Sequence, residues 1–294
     1  MQIHNNQYRI QDEARTALTQ AGNVLIGLAR ASDRIMLPNP GPETINLSAE
    51  IFRAITTRTP LSMYTPVCPD WSRDSQGRYD FKSLGTGASF IAQKFLTESR
   101  EVLALLKENG IPYSGLLVFA DWGTETELSA KDTYGETLDT DQVVSQFEES
   151  FRATHALLSQ HQAESDLFSS YNIISMTEFL AQRLPDCSQT SQENYERFSS
   201  HADAMKLADF YHHESFPINQ RRLGITDEEE NYRAGVQTLA EYATFSQAID
   251  SGIIIAAESR IASRAYNILR GKHDKLPVIF LKGGQSLTEG VNIL

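Results

Sequence analysis

Only two cysteines, Cys68 and Cys187, occur among the 294 residues. That number rules out a disulfide framework and fits a reducing compartment. Basic residues are also scarce, with 26 Lys and Arg against 38 Asp and Glu, a net charge of −12. Coating DNA needs clustered cations that release counterions, so this balance excludes a general DNA-binding role and leaves room for one local basic patch. No apolar run approaches the ~20 residues of a membrane span. The opening residues, Met1-Gln2-Ile3-His4-Asn5-Asn6, lack the charged and apolar regions of a secretion signal. A cytoplasmic protein with no membrane partner is expected. With 40% hydrophobic and 22% charged residues, the composition excludes disordered and fibrous classes.

What is present is a regular alternation. Residues 9–30 carry Ile10, Ala14, Leu18, Val24, Leu25 and Leu28 at helical spacing, which predicts an amphipathic helix. Leu37-Pro38-Asn39-Pro40-Gly41-Pro42 then interrupts regular structure. Residues 1–44 are therefore expected to form a helical lead-in and connector, and residues 45–294 the main domain. Apolar runs at residues 61–67, 116–120, 171–176, 252–257 and 276–281 predict strands, and continuous runs of this kind suit strands buried on both faces. Helical patterns separate them: 86–109, closed by Asn109-Gly110, then 140–162, a polar stretch over 178–216, 227–248, and a short piece in 260–270. Strand–helix alternation implies right-handed crossovers, and so an α/β Rossmann-like three-layer fold with a mainly parallel sheet.

In such a sheet, ligands bind beyond the carboxyl ends of the strands. The first strand is followed by Cys68-Pro69-Asp70-Trp71-Ser72-Arg73, the second by Asp121-Trp122-Gly123-Thr124-Glu125, and the fourth by Glu258-Ser259-Arg260. Both tryptophans lie in these loops. Cys68 is either a nucleophile or a small buried hydrophobe at a strand end. Asp70, Asp121, Glu125 and Glu127 suit Mg²⁺, acid–base work, a substrate ammonium, or solvated loops. Three apolar strands ending in acids predict that Asp70, Asp121 and Glu258 approach one pocket. Gly85-Thr86-Gly87-Ala88-Ser89-Phe90 has Phe90 where a dinucleotide fingerprint needs Gly or Ala, so it reads better as a tight turn and N-cap. No phosphate-binding GxxxxGK[ST] loop, GxSxG elbow or HExxH metal helix occurs. Arg260, Arg264, Arg270, Lys272, Lys275 and Lys282 form the one local excess of positive charge, which suits an RNA end or an ordinary basic surface.

Leu239-Ala240-Glu241-Tyr242-Ala243-Thr244-Phe245, followed by Ile249-Asp250 and the run Ile253–Ala257, resembles the later part of cyclodipeptide synthases. In that family a helix carries Tyr-x-x-x-Glu before a strand, with a further Tyr beyond it. Glu241 matches the Glu, Gln237 stands in place of the Tyr, and Tyr266 matches the later Tyr if about three residues are inserted. The match covers about 40 residues; neither Cys68 nor Ser72 aligns with the family's nucleophile motif. The resemblance implies a catalytic domain like that of class I aminoacyl-tRNA synthetases. It also implies transfer of amino acids from aminoacyl-tRNA through an acyl-enzyme, with no cofactor. Cys68, Ser72, Glu241 and Tyr266 are then the catalytic candidates. Asp70, Trp71, Asp121, Glu125, Glu258 and Arg260 are the substrate-binding candidates, and residues 260–282 would meet the tRNA. Two other readings stay open: a small-molecule or nucleotide-dependent enzyme of amino-acid-derived metabolite biosynthesis, whose strand-end carboxylates Asp121, Glu125 and Glu258 would hold Mg²⁺ or substrate, and a non-catalytic binding protein.

Overall fold

The computed structural model describes residues 2–31, 35–37, 41–73, 75–77, 79–121, 140–223, 226–257 and 264–282. The predicted first helix is α1 (Gln2–Arg30), which reaches further toward the N-terminus than its apolar pattern. β1 (Ile35–Met36) and α2 (Pro42–Thr57) follow, with Pro42 at the first helical position, where its missing N–H costs nothing. The strands β2 (Leu61–Val67), β5 (Tyr113–Phe119), β6 (Tyr171–Ser175), β7 (Ile253–Ala256) and β8 (Val278–Leu281) fall on the five apolar runs. Between β2 and β5 lie a small hairpin, β3 (Trp71–Arg73) and β4 (Tyr79–Leu84), then α3 (Phe90–Glu98) and α4 (Arg100–Glu108). α5 (Thr140–Glu164) joins β5 to β6. The long crossover to β7 carries α6 (Met176–Arg183), α7 (Cys187–Phe198), α8 (Ala202–Leu223) and α9 (Glu228–Gln247). α10 (Ala265–Ile268) leads to β8.

The main sheet runs β1-β8-β7-β2-β5-β6, with every pairing parallel except β1 to β8. Its two faces alternate strictly. Met63, Val67, Leu117, Phe119, Ile253, Ile255 and Ile279 point into one core, with Val24, Ile51, Phe95 and Phe147 from α1, α2, α3 and α5. Tyr64, Val118, Ile254, Ala256 and Val278 point into the other, with Phe179 and Phe245 from α6 and α9. Burial on both faces is why these strands read as unbroken apolar runs. The result is the expected α/β Rossmann-like fold with a mainly parallel sheet.

Between β2 and β5, two local features depart from the expectation. The pattern over residues 86–109 predicts one helix, but the chain forms α3 and α4, kinked at Ser99. The backbone bonds continue through the kink, from Ser99 N–H to Phe95 O and from Leu103 N–H to Ser99 O. The bend lets Phe95 and Leu96 on one side, and Val102, Leu103 and Leu106 on the other, all reach the same core. The second departure is the β3–β4 hairpin, which the apolar pattern did not announce. The closing signal held: Gly110 adopts φ 67°, a left-handed helix stop.

α7 and α9 are joined by a buried polar knot. Asn194 Nδ2 donates to Thr244 Oγ1 at 2.9 Å and to Gln247 Oε1 at 3.0 Å. Asn194→Leu removes these bonds and strands two acceptors, so a loss of about 2 kcal/mol is expected in urea denaturation. A loss within 0.5 kcal/mol of zero, the range of an ordinary surface change, would show the knot to be dispensable.

Candidate functional site

The parallel strands run outward from β2 in two directions, first to β5 and β6, later to β7 and β8. The order therefore reverses between β2 and β7, and the crevice at that switch point is where such sheets hold ligands. The strands themselves widen it. β2 pairs with β5 along its whole length, from Leu61↔Tyr113 to Val67↔Phe119. With β7 it pairs only at Met63↔Ile253 and Tyr64↔Ile254. Beyond Tyr64 the ladder ends, and β7 continues with β8 alone. Next to this parting, the Thr65 hydroxyl is buried with no hydrogen-bond partner. From α3, Lys94 Nζ reaches the end of β7 and donates to Ala257 O at 2.9 Å.

On the other face, α9 supplies a carboxyl group. Five residues connect it to β7, so the helix runs antiparallel to that strand. Phe245 packs into the core against Phe179 at 5.4 Å and Tyr266 at 5.7 Å. Glu241 is four residues earlier on the same face, about 6 Å closer to the carboxyl edge. It is only partly buried, yet removal from water pushes its carboxyl up to about 7 from the usual 4.5. The opposing influence is Gln237, whose Nε2 donates to Glu241 Oε1 at 3.0 Å and favours the charged form. A carboxyl that is partly exposed yet poorly solvated can, near neutral pH, both accept and give a proton. Beside it, Tyr242 stacks on Tyr266 at 5.1 Å, and Tyr266 is fully buried on α10.

The remaining sequence candidates divide. Cys68 is a thiol at the end of β2, partly buried against the first core. Trp71 and Ser72 are on β3, where the described features are backbone ones: Trp71 pairs with Leu84 and Ser72 with Asp80. Asp70 is buried and turned toward α5 and the turn before α3: its N–H donates to Ser150 Oγ at 2.8 Å, and its Oδ2 accepts from Gly87 N–H at 3.1 Å. Asp121 Oδ1 accepts from Thr177 N–H at 2.9 Å, at the start of α6. These two carboxylates are thus engaged with different elements. Glu125, Glu127, Glu258 and Arg260 lie outside the described residues. The turn over residues 85–89 is the N-cap expected, with Ser89 Oγ accepting from Ala92 N–H. In the basic stretch, Arg270 Nη1 donates to Ser246 O at 2.6 Å and Ile249 O at 3.3 Å, closing the end of α9, and Arg264 lies 5.9 Å from the Phe210 ring. The sequence pointed to neither Lys94 nor Tyr242 as a site residue; Gln237 stood out only in place of the Tyr of the resembling family, and its i, i+4 spacing to Glu241 was the further signal.

Among the described residues, no group of three or more His, Cys, Asp or Glu is placed to hold a metal ion. No helix among them is long and apolar enough to cross a membrane.

Neither a family model nor a curated protein matches the chain. Solved structures do. A cyclo(L-leucyl-L-phenylalanyl) synthase is 11% identical, with a TM-score of 0.49 over 85% of this chain and 98% of its own. AlbC, a cyclodipeptide synthase from Streptomyces noursei, is 10% identical, with a TM-score of 0.46 over 79% of this chain and 100% of its own. A cyclodipeptide synthase from Fluoribacter dumoffii is 10% identical, with a TM-score of 0.46 over 85% of this chain and 97% of its own.

Proposed function

We propose that this chain is an aminoacyl-transferring enzyme that joins amino acids delivered on tRNA, with Glu241 as its acid–base residue. The observation that carries the reading is the Glu241 carboxyl on α9, partly buried, bonded to Gln237 Nε2 at 3.0 Å and pushed up to about 7 by removal from water. The helix that holds it is also the segment whose sequence resembles the synthases, and Tyr266 is packed one residue pair away, against Tyr242.

In the proposed sequence, a thiol at the end of β2 (Cys68) or a hydroxyl on β3 (Ser72) attacks the aminoacyl ester. The ester bond to the ribose breaks, an acyl-enzyme forms, and the nucleophile's proton ends on the ribose oxygen. The amine of a second aminoacyl-tRNA then attacks the acyl-enzyme. A peptide bond forms, and the enzyme's hydroxyl or thiol recovers a proton. Attack of the free amine on the remaining ester closes the ring and releases the second tRNA. Glu241 binds the α-ammonium of the first aminoacyl group when ionised and carries a proton between amine and leaving group. Residues 260–282 are the proposed contact with tRNA. Since Arg270 is committed to the end of α9, that contact falls to the other cations of the stretch.

The test is mass spectrometry of metabolites made when the chain is overproduced, together with analysis of RNA that copurifies. A new diketopiperazine and bound tRNA are expected. Production of neither, with a stoichiometric Mg²⁺ requirement for some other turnover, would favour instead an enzyme working through strand-end carboxylates.

A further inference from the structure

The loop after β2 and the turn that opens α3 hold each other through several hydrogen bonds. Asp70 is 5% exposed. Its Oδ2 accepts from Gly87 N–H at 3.1 Å, and its carbonyl accepts from Gly85 N–H at 3.1 Å. Its own N–H donates to Ser150 Oγ at 2.8 Å. Ser89 N–H donates to Thr154 Oγ1 at 2.9 Å, and Ser89 Oγ accepts from Ala92 N–H at 3.2 Å. Thr154 in turn donates its hydroxyl to Ser150 O at 2.7 Å, so one face of α5 backs the whole turn. A Cβ on Gly87 would lie 2.7 Å from Asp70 Oδ2; the absence of that atom is what lets the carboxylate approach the backbone.

In a sheet of this order, the glycine turn into the helix that follows the central strand is where backbone N–H groups and the helix dipole hold a phosphate. Here the glycines, the turn and the helix are present, and an anion is already there, tethered through the main chain. We propose that Asp70 is a built-in anion: its carboxylate takes the Gly87 N–H of the Gly85–Ser89 turn, so the phosphate position of this sheet is filled from within and takes up no phosphate-bearing ligand. The inference is independent of the reaction carried out in the crevice. It also gives Asp70 a different task from the substrate contact its strand-end position suggested. A ligand in the crevice is then held from the side of α9 and β7.

The test is thermal unfolding of the full chain in chloride, formate or phosphate at equal ionic strength. Wild type is expected to show no saturable gain from formate or phosphate over chloride. Asp70→Ala removes the anion and leaves its space. It should melt roughly 5–10 °C lower and regain at least about half of that with saturating formate. Gly87→Ala fills the same space and displaces the carboxylate, so it should lose a similar amount and regain nothing. An Asp70→Ala protein that melts like wild type, or gains no more from formate than from chloride, overturns the proposal. So does a saturable phosphate effect on wild type. Should Asp70→Ala fail to fold, Asp70→Asn decides, since it keeps the shape and the acceptor but not the charge. It should melt about 3 °C or more below wild type and ignore formate, and an unchanged melting temperature would refute the built-in anion.

Discussion

Glu241→Gln is expected to lower turnover by about 10²-fold or more, and at the same time to stabilise the fold above neutral pH. Glutamine keeps the shape of the side chain and can still meet the Gln237 amide, but it neither binds an ammonium group by charge nor moves a proton. The effect on stability has the opposite sign because the native carboxyl titrates near 7 rather than at its usual 4.5. The unfolded chain therefore releases its proton first. The group's contribution is fully present below about pH 4.5 and is lost as pH rises through about 7. A separation of that size corresponds to up to about 3 kcal/mol. In the glutamine variant this decline should be absent. Urea denaturation at about pH 5 and about pH 8 reads it directly, with the two proteins closest at acid pH and the variant ahead at alkaline pH. Unchanged turnover would remove Glu241 from the chemistry, and a wild-type stability that is flat across this range would mean that the carboxyl is well solvated. Gaining stability while losing activity is the pattern expected where a fold keeps a poorly solvated group for its function.

The second large effect concerns the sheet itself. Gly115→Ala is expected to cost about 3 kcal/mol or more, lowering the melting temperature by roughly 10 °C. The β5–β6 register sets Gly115 directly beside Tyr171. A Cβ at residue 115 would lie 2.0 Å from Tyr171 Cε1 and 2.2 Å from Cζ. The ring cannot swing away. It is fully buried, with Phe95 at 5.4 Å, Phe168 at 5.9 Å and Tyr113 at 6.5 Å around it. Relief must come from the backbone of β5 and its neighbour β6 or from breaking the aromatic cluster. A double variant separates this cause from a general intolerance of strand residues. Tyr171→Leu is itself destabilising, but in its presence the further cost of Gly115→Ala should fall by at least half. Additive costs in that cycle would place the damage somewhere other than the ring contact.

How far the sequence foretold the structure depended on the range of the interaction. Ile253–Ala256 and Leu116–Phe119 read as strands because burial on both faces leaves no polar alternation, and that signal is local. The parting of β2 from β7 beyond Tyr64 involves segments 190 residues apart, from the pairs Met63↔Ile253 and Tyr64↔Ile254, and leaves no mark on either. The β3–β4 hairpin did leave one, in the alternation Tyr79-Asp80-Phe81-Lys82 after Gly77 at φ 76°, but its short strands are outweighed by the longer apolar runs. Glu241 was legible as a carboxylate on an apolar helix, because Val236, Leu239, Ala240 and Ala243 surround it in the sequence. Its ionisation was not, since that depends on how tightly its surroundings exclude water. Asp70 and Asp121 show the complementary difficulty. A carboxylate at a strand end looks the same in a sequence whether its hydrogen-bond donors belong to a substrate or, as with Gly87 and Thr177, to the protein's own backbone.

The smallest strand of the sheet has a consequence for solubility. Ile35–Met36 lie antiparallel on the outer side of β8, pairing with Phe280 and Leu281. An unpaired outer strand is a template on which another molecule can add its own, and β8 is apolar along its whole length. Two residues running the wrong way for a parallel sheet serve as a stopper. They occupy those backbone groups, and they are too short to offer a new row of their own. A chain shortened to begin at residue 45 would lose this stopper together with Val24 and Leu28 of the helix before it, baring the rim of the sheet and part of the core beneath. The segment before Pro42, which a reading of the sequence sets apart as a mere lead-in, is thereby a guard against intermolecular strand pairing.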